Sequence, residues 1–242
     1  MDYNKDFEDS YLQTEQGKIH YKHHQGSGRR MLFIHGFASN IKTWKRFVGY
    51  LPDTLDIYLM DLLGHGLSDA PEVEYTIDLH LKMLDELVKD RKLENFYLLG
   101  HSYGGWVAGL YAANHNNLAG LIFEDTAGME EFVVDREHNV PNYKDQLFKD
   151  GLMLNPRQQV VKSMVNCIYT NERITKEMVG KLKIPVQIMW GSNDSTVDTK
   201  YSGILASYIK GSIVSIVEGG GHTPHYIKPE ETSGMLLSFL KK

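Results

Sequence analysis

Cysteine is almost absent from this chain, since Cys167 is the only one among 242 residues. An intramolecular disulfide is therefore excluded, and a zinc site based on cysteine would need nearly all of its ligands from other residues. An isolated thiol of this kind is typical of a hydrophobic core, so we expect Cys167 to be buried.

The chain also lacks an excess of positive charge. Its 26 Lys and Arg face 31 Asp and Glu, which gives a formal net charge of −5 at pH 7. Proteins that bind the phosphate backbone of nucleic acids need a basic surface. We therefore expect no nucleic-acid partner.

Long apolar runs are missing as well. No stretch approaches the roughly 18 apolar residues that a transmembrane helix requires, so no membrane span is predicted. Residues 1–9 carry several charges and lack the apolar segment of a secretory signal. The sequence thus predicts a cytoplasmic location.

Short apolar runs alternate with amphipathic stretches along the chain, which indicates an α/β fold with parallel strands buried between helices. A length of 242 residues suits one such domain. Only a tight turn separates the first two predicted strands, so these form an antiparallel hairpin, and the others are mainly parallel. The predicted strands are residues 10–14, 19–24, 30–35, 56–61, 95–100, 118–124, 185–190 and 212–217. The predicted helices are residues 43–50, 76–91, 103–115, 198–209 and 228 to the C-terminus.

Residues 129–183 interrupt this alternation. The segment is polar, rich in methionine, and contains Pro141 and Pro156 between two predicted strands. A structureless loop of this length is uncommon in a compact domain. We predict a small, mostly helical insertion that covers one edge of the sheet.

A serine stands where an apolar run meets a helix-like segment. Residues 100–105 read Gly-His-Ser-Tyr-Gly-Gly and follow the apolar residues 96–99. This order predicts a strand, a sharp turn and a helix, which together expose a nucleophilic serine. The alternative is a serine that only caps the helix, but the strand-to-helix context favours Ser102 as a nucleophile.

A serine hydroxyl needs a base to remove its proton and a third group to orient that base. His222, in a Gly-Gly-Gly-His loop after the last predicted strand, is the best placed of eleven histidines. His225 is its nearest rival. A metal site on these two residues would need a carboxylate cluster that the neighbouring sequence lacks.

The remaining histidines have structural explanations. His20, His23 and His24 belong to the predicted hairpin. His80 and His115 fall on predicted helices, where we expect exposure to solvent.

The third group should be a carboxylate that follows the serine and precedes the histidine. Asp194 comes directly after the predicted strand that ends at Trp190, and Asp125 follows the strand that ends at Glu124. Both lie at carboxyl ends of strands, where functional groups of open α/β sheets gather. Asp194 is favoured, with Asp125 as the alternative.

A tetrahedral oxyanion needs backbone N–H donors. The amide of Tyr103, next to the serine, is one candidate. Phe37, in the loop after the third predicted strand, supplies the second. His35 is expected to brace that loop by hydrogen bonding.

With these segments assembled, the sequence resembles the α/β-hydrolase superfamily, in the esterase-like group that has a cap after the sixth strand. The similarity extends over nearly the whole chain. It is carried, in family order, by residues 35–37, the D-x-x-G-x-G-x-S loop at 61–69, residues 100–105, the G-x-x-D-x-x-V segment at 191–197, and residues 221–231.

The resemblance implies an α/β-hydrolase fold with a mostly parallel eight-stranded sheet and helices on both faces. Residues 1–128 and 184–242 would form the core domain and residues 129–183 a helical cap. It also implies Ser102, Asp194 and His222 as a catalytic triad, and no cofactor. Haloalkane dehalogenases and epoxide hydrolases use an aspartate nucleophile, which Ser102 argues against.

The expected activity is hydrolysis of a small-molecule carboxylic ester with a small or medium acyl group. The same triad could cleave a lactone, a thioester, an amide or a C–C bond, although residues 36–39 are less glycine-rich than the corresponding loop of C–C hydrolases. A rival of another class is a ligand-binding protein with weak catalysis. Packing within the cap is favoured over a place in an acyl pocket for four cap residues, namely Leu152, Met153, Met164 and Tyr169.

Overall fold

One eight-stranded sheet organises the fold in the computed structural model, which describes residues 5–241. The order of strands across the sheet is β1-β2-β4-β3-β5-β6-β7-β8. The strands are β1 (Glu8–Thr14), β2 (Gly17–His24), β3 (Arg30–Ile34), β4 (Asp56–Met60), β5 (Phe96–His101), β6 (Leu118–Glu124), β7 (Val186–Gly191) and β8 (Ile213–Val217).

Parallel pairing dominates this sheet. β1 and β2 form the predicted antiparallel hairpin, in which Thr14 pairs with Gly17, and β2 also runs antiparallel to β4. Every pair from β4 across to β8 is parallel. The predicted α/β class and mostly parallel eight-stranded sheet are therefore confirmed.

Helices cover both faces of the sheet, as β3 shows. Leu32 and Ile34 belong to a hydrophobic cluster on one face, and Met31 and Phe33 to a second cluster on the other. Successive side chains of a strand point to opposite faces, so an uninterrupted apolar strand needs cover on both.

The helices are α1 (Lys45–Val48), which follows a 3₁₀ turn at Ile41–Trp44, α2 (Ile77–Asp90), α3 (Tyr103–Asn114), α4 (Glu130–Asn139), α5 (Tyr143–Leu154), α6 (Gln158–Cys167), α7 (Lys176–Val179), α8 (Lys200–Tyr208), α9 (Pro224–Ile227) and α10 (Pro229–Leu240).

The two layers use different helices. Leu84 of α2, Val107 of α3 and Leu205 of α8 join the first cluster, whereas Phe47 of α1 and Leu236 of α10 join the second. Each such side chain contributes roughly 1.5–3 kcal/mol when it is fully buried. The sheet is thereby a rigid platform for the loops at its carboxyl edge.

Four helices, α4 to α7, lie between β6 and β7, and we call residues 129–183 the cap. The cap is hydrogen-bonded to segments that follow β4: Asn155 Nδ2 donates to the Gly64 carbonyl at 2.9 Å, and the Tyr75 amide donates to Ser163 Oγ at 2.8 Å. These contacts place the cap over the carboxyl edge of the sheet. The division into a core and a cap domain stays a prediction.

Two predictions about burial are wrong. Cys167 is half-buried at the end of α6, because the residue lies in the cap instead of between the sheet and its helices. His80 is fully buried, because its ring bridges two segments: Nδ1 lies 2.8 Å from the Tyr103 hydroxyl and Nε2 lies 3.2 Å from the Leu63 carbonyl. Burial lowers the pKa of His80 to about 4, so the ring is neutral.

Within residues 5–241, none of the helices combines the length and the apolar character that crossing a bilayer would require.

Candidate active site

Ser102 occupies a strained turn between β5 and α3. Its φ of 53° and ψ of −115° lie where residues with a side chain are rarely found. The Ser102 amide donates to the Glu124 carbonyl at 2.8 Å, and the Ser102 carbonyl accepts from the Trp106 amide at 3.1 Å. The turn is thus held by β6 on one side and by α3 on the other.

Glycine is required on both sides of this turn. A Cβ at Gly100 would lie 2.2 Å from the Gly104 carbonyl oxygen, and a Cβ at Gly104 would lie 2.3 Å from the Ile34 carbonyl oxygen. No side chain fits at either position without movement of the backbone. The G-x-S-x-G pattern therefore follows from the close packing of α3 against β3 and β5.

His222 lies between Ser102 and Asp194. Its Nε2 is 2.9 Å from Ser102 Oγ, and its Nδ1 is 2.8 Å from Asp194 Oδ2. Because a carboxylate only accepts, Nδ1 carries a proton and donates it, which leaves Nε2 of the neutral ring to accept from the serine hydroxyl. The structure thus joins the three predicted residues in one hydrogen-bonded chain.

Asp194 is buried and fully engaged. Its Oδ1 accepts from the amides of Thr196 at 2.7 Å and Val197 at 3.0 Å, while Oδ2 faces His222. Burial works to raise the pKa of Asp194, but the hydrogen bond and charge of His222 outweigh it and hold that pKa below its ordinary value. The carboxylate is ionised at neutral pH, as an orienting group must be.

Asp125, the alternative acid, is also close by. One oxygen of Asp125, one of Asp194 and a ring nitrogen of His222 lie within 4.8 Å of one another. Asp125 Oδ1 accepts from the Gly191 amide at 3.0 Å. Burial, together with the neighbouring charges of Glu124 and Asp194, raises the pKa of Asp125 well above its ordinary value. His222 is hydrogen-bonded to Asp194, whose pKa is lowered, and not to Asp125, whose pKa is raised, so Asp194 is the better candidate for the orienting acid.

Asp125, Asp194 and His222 are residue types that bind metal ions, but both ring nitrogens of His222 already have hydrogen-bond partners. Nδ1 and Nε2 of His222 face Asp194 and Ser102. His225 is engaged elsewhere: Nδ1 lies 2.8 Å from Glu124 Oε2, and Nε2 lies 2.7 Å from Thr43 Oγ1. The rival base is thus committed to other partners, which its sequence position did not reveal.

The expected oxyanion donors line the same cavity as Ser102. Phe37 follows β3 and Tyr103 begins α3. The first amides of a helix have no partner within the helix, so the Tyr103 amide suits this role. His35 braces the Phe37 loop as expected, since its Nδ1 donates to the Gly36 carbonyl at 2.8 Å and its Nε2 accepts from the Leu62 amide at 3.1 Å.

A cavity of about 550 Å³ lies between the cap and the sheet, with Ser102 and His222 in its wall. This volume is within the range of small-molecule sites. Apolar and aromatic side chains from the cap and α3 form much of the wall, namely Trp106, Phe132, Tyr143, Leu147, Leu154 and Ile168.

The cap residues considered for this wall lie elsewhere. Met153 is 86% exposed, Met164 is buried in the core, and Leu152 packs against a small cluster around Val161. The Tyr169 hydroxyl donates to the Arg136 carbonyl. Packing, the role that the sequence favoured, is thus observed for Leu152 and Met164, and the direction of each cap helix decides which side chains face Ser102.

A strained serine after β5, followed along the chain by an aspartate after β7 and a histidine after β8, defines the α/β hydrolases as a class. A family model described as the alpha/beta hydrolase fold matches residues 29–162, and the chain belongs to this family.

The individual relatives have low sequence identity to this chain. The monoacylglycerol lipase ABHD6 of Bos taurus is 24% identical, over 95% of this chain and 81% of the lipase. An esterase from Exiguobacterium antarcticum has a TM-score of 0.79 at 20% identity, over 97% of this chain and all of that one (100%). The enol-lactonase from Burkholderia xenovorans LB400 has a TM-score of 0.77 at 18% identity, over 96% of this chain and 100% of that one. At such identities the solved structures show a shared fold.

Proposed function

We propose that this protein is a serine hydrolase that cleaves carboxylic esters of small or medium acyl groups through an acyl-enzyme on Ser102. The observation that carries the proposal is the hydrogen-bonded chain from Ser102 Oγ through His222 to Asp194, which meets the cavity under the cap.

In the first half of the reaction, Ser102 Oγ attacks the ester carbonyl carbon while His222 Nε2 takes the hydroxyl proton. The carbonyl oxygen becomes an oxyanion, which the amides of Phe37 and Tyr103 stabilise. Asp194 stabilises the imidazolium that forms on His222. When the tetrahedral intermediate collapses, the C–O bond to the alcohol breaks and His222 returns the proton to the departing oxygen.

In the second half, water occupies the place of the alcohol. His222 Nε2 removes a proton from the water, whose oxygen attacks the acyl carbon of the Ser102 ester. Collapse of the second intermediate breaks the bond to Ser102 Oγ, which takes back the proton, and the carboxylic acid is released. Neutral His222 is needed at the start of each half.

Two further observations support an ester as the substrate. The cavity wall is largely apolar near the cap, which suits an acyl chain, and its volume of about 550 Å³ suits a small or medium one. Relatives whose names denote action on esters include the monoacylglycerol lipase and the esterase above.

The test is hydrolysis of p-nitrophenyl esters from acetate to dodecanoate by the wild type, by Ser102→Ala and by Ser207→Ala. Ser207 is an exposed serine of α8 whose Oγ donates to the Ile204 carbonyl, which makes it a matched control. We expect turnover by the wild type and Ser207→Ala, with a loss of at least about 10⁴-fold in Ser102→Ala. Equal rates in Ser102→Ala and the wild type would overturn the proposal.

A further inference from the structure

A second chain of hydroxyl, imidazole and carboxylate lies beside the first one. Thr43 Oγ1 is 2.7 Å from His225 Nε2, and His225 Nδ1 is 2.8 Å from Glu124 Oε2. Both distances are as short as those of Ser102, His222 and Asp194. The reaction described above uses none of these three side chains.

Glu124 and His225 are built into the core. Both side chains are fully buried, and Glu124 Oε1 also accepts from the His225 amide at 3.0 Å. The ring of Trp44 packs over that of His225 with centroids 4.2 Å apart. Taking a carboxylate out of water is costly, and apolar residues would often stabilise a fold better. A rigid, fully partnered pair in this place therefore points to a task beyond stability.

The pair fixes the hydroxyl of Thr43. Because His225 Nδ1 faces a carboxylate, it carries a proton, and when the ring carries only this proton Nε2 is an acceptor. Thr43 Oγ1 consequently donates its proton to Nε2. The lone pairs of Thr43 Oγ1 are left for a donor on its other side.

That other side is the cavity of Ser102, since Thr43 lies in its wall. Asn40 and Thr223 are further polar residues of the wall, and they come from the segments that carry Thr43 and His225. Much of the apolar wall comes from α3 and the cap, and the cap also contributes Asp150. The cavity therefore has a polar part that adjoins the His222 loop.

The chemistry of the reaction assigns a substrate portion to this polar part. His222 Nε2 must reach the departing alcohol oxygen, so the alcohol lies toward the loop that carries His222. The acyl chain then occupies the apolar part. A donor on the alcohol would meet the fixed oxygen of Thr43.

We propose that Thr43 is a specificity-determining residue whose hydroxyl, held by His225 and Glu124, accepts a hydrogen bond from a hydroxyl group on the alcohol portion of the ester. This inference rests on the proposed ester hydrolysis. It narrows the substrate class to esters of polyhydric alcohols, of which one hydroxyl is acylated and another is free.

The test compares two butanoate esters of equal heavy-atom count, the 2-hydroxyethyl ester and the n-propyl ester. The ratio of their kcat/KM values is measured for the wild type, Thr43→Val, Thr43→Ala and Thr43→Ser, with Tm recorded for each. The valine variant removes the hydroxyl at nearly constant shape. The alanine variant leaves room for water on His225 Nε2, in case the valine variant does not fold.

We expect the wild type to favour the 2-hydroxyethyl ester. Thr43→Val and Thr43→Ala should lower that preference about tenfold, mainly through KM, and Thr43→Ser should retain it. The n-propyl ester has no donor for Thr43 Oγ1, so in Thr43→Val and Thr43→Ala its kcat/KM should fall by a smaller factor than that of the 2-hydroxyethyl ester. Equal losses for both esters would mean that Thr43 is only structural and would overturn this inference alone. A wild type that hydrolyses neither ester, nor any p-nitrophenyl ester, would overturn the proposed function and this inference with it.

Discussion

The ring of His101 donates a hydrogen bond of 2.6 Å from Nε2 to the backbone carbonyl of His222. His101 directly precedes Ser102, so one side chain ties the nucleophile turn to the loop of the base. Burial, followed by the neighbouring histidines, lowers the pKa of His101 well below its ordinary value. The ring is neutral, and its single proton is the one that Nε2 donates.

Replacing His101 should therefore disturb the position of His222. We expect His101→Leu, which has no donor, to lower kcat about tenfold on p-nitrophenyl butanoate and to change KM by less than about twofold. His101→Gln retains a donor and should recover most of the loss. If the glutamine and leucine variants were equally impaired, the hydrogen bond would not be the cause.

The raised pKa of Asp125 predicts a pH-dependent stability difference. With a pKa raised well above 3.8 in the folded protein, Asp125 releases a proton on unfolding at any pH between 3.8 and the raised value. The wild type thus loses stability as the pH rises through that interval, by up to about 1.4 kcal/mol per pH unit. Asp125→Asn cannot titrate, and its amide can still accept from the Gly191 amide.

Urea unfolding of both proteins from pH 4.5 to pH 8 measures this difference. We expect the free energy of unfolding of Asp125→Asn, relative to the wild type, to increase with pH. Groups that face Asp125, namely Glu124, Asp194 and His222, are present in both proteins, so their own titration largely cancels. A difference that stays constant over this range would show that Asp125 is ionised throughout.

Two Gly→Ala substitutions, one beside the turn of Ser102 and one in α8, should have opposite effects on the free energy of unfolding. In Gly104→Ala the new Cβ would lie 2.3 Å from the Ile34 carbonyl oxygen, so stability should fall by about 3 kcal/mol. In Gly203→Ala, within α8, nothing lies within 4 Å of the new Cβ, and stability should rise by up to about 1 kcal/mol. Urea unfolding measures the free energy of unfolding of both variants relative to the wild type. Similar changes in the two variants would refute the steric explanation.

The assignment of Asp194 as the acid that orients His222 predicts a large loss of activity when this carboxylate is replaced. Asp194→Asn should lower kcat for p-nitrophenyl butanoate about 10³–10⁴-fold, because His222 would lose the acceptor that fixes its tautomer. Asp198→Asn is the matched control, since Asp198 accepts from the Lys200 amide at the surface. It should retain wild-type kcat. Near-normal kcat in Asp194→Asn would assign the orienting role to another group.

Much of the fold could be predicted because its signals are local. The eight apolar runs matched the eight strands to within two residues at each end, and the two-residue separation of β1 and β2 indicated the hairpin. The segments around Ser102, Asp194 and His222 were recognisable for the same reason, since each of these residues lies within five residues of the end of a strand.

The features that the sequence did not predict depend on contacts between distant segments. The burial of His80 arises from Tyr103 and Leu63, which lie 23 and 17 residues away in sequence. The cavity wall depends on how the cap helices are oriented, and helical periodicity does not specify that orientation. The pairing of Glu124 with His225, across 101 residues, also left no local pattern.

The most direct test of the central claim is reaction with a fluorophosphonate probe, followed by peptide mass spectrometry. Activated Ser102 should displace fluoride and retain one probe molecule, and His222→Ala should be labelled far more slowly. The predicted result is one label per wild-type chain on the peptide that contains Ser102, and none in Ser102→Ala. An unlabelled wild type, or equal labelling of Ser102→Ala, would contradict the assignment of Ser102 as the nucleophile.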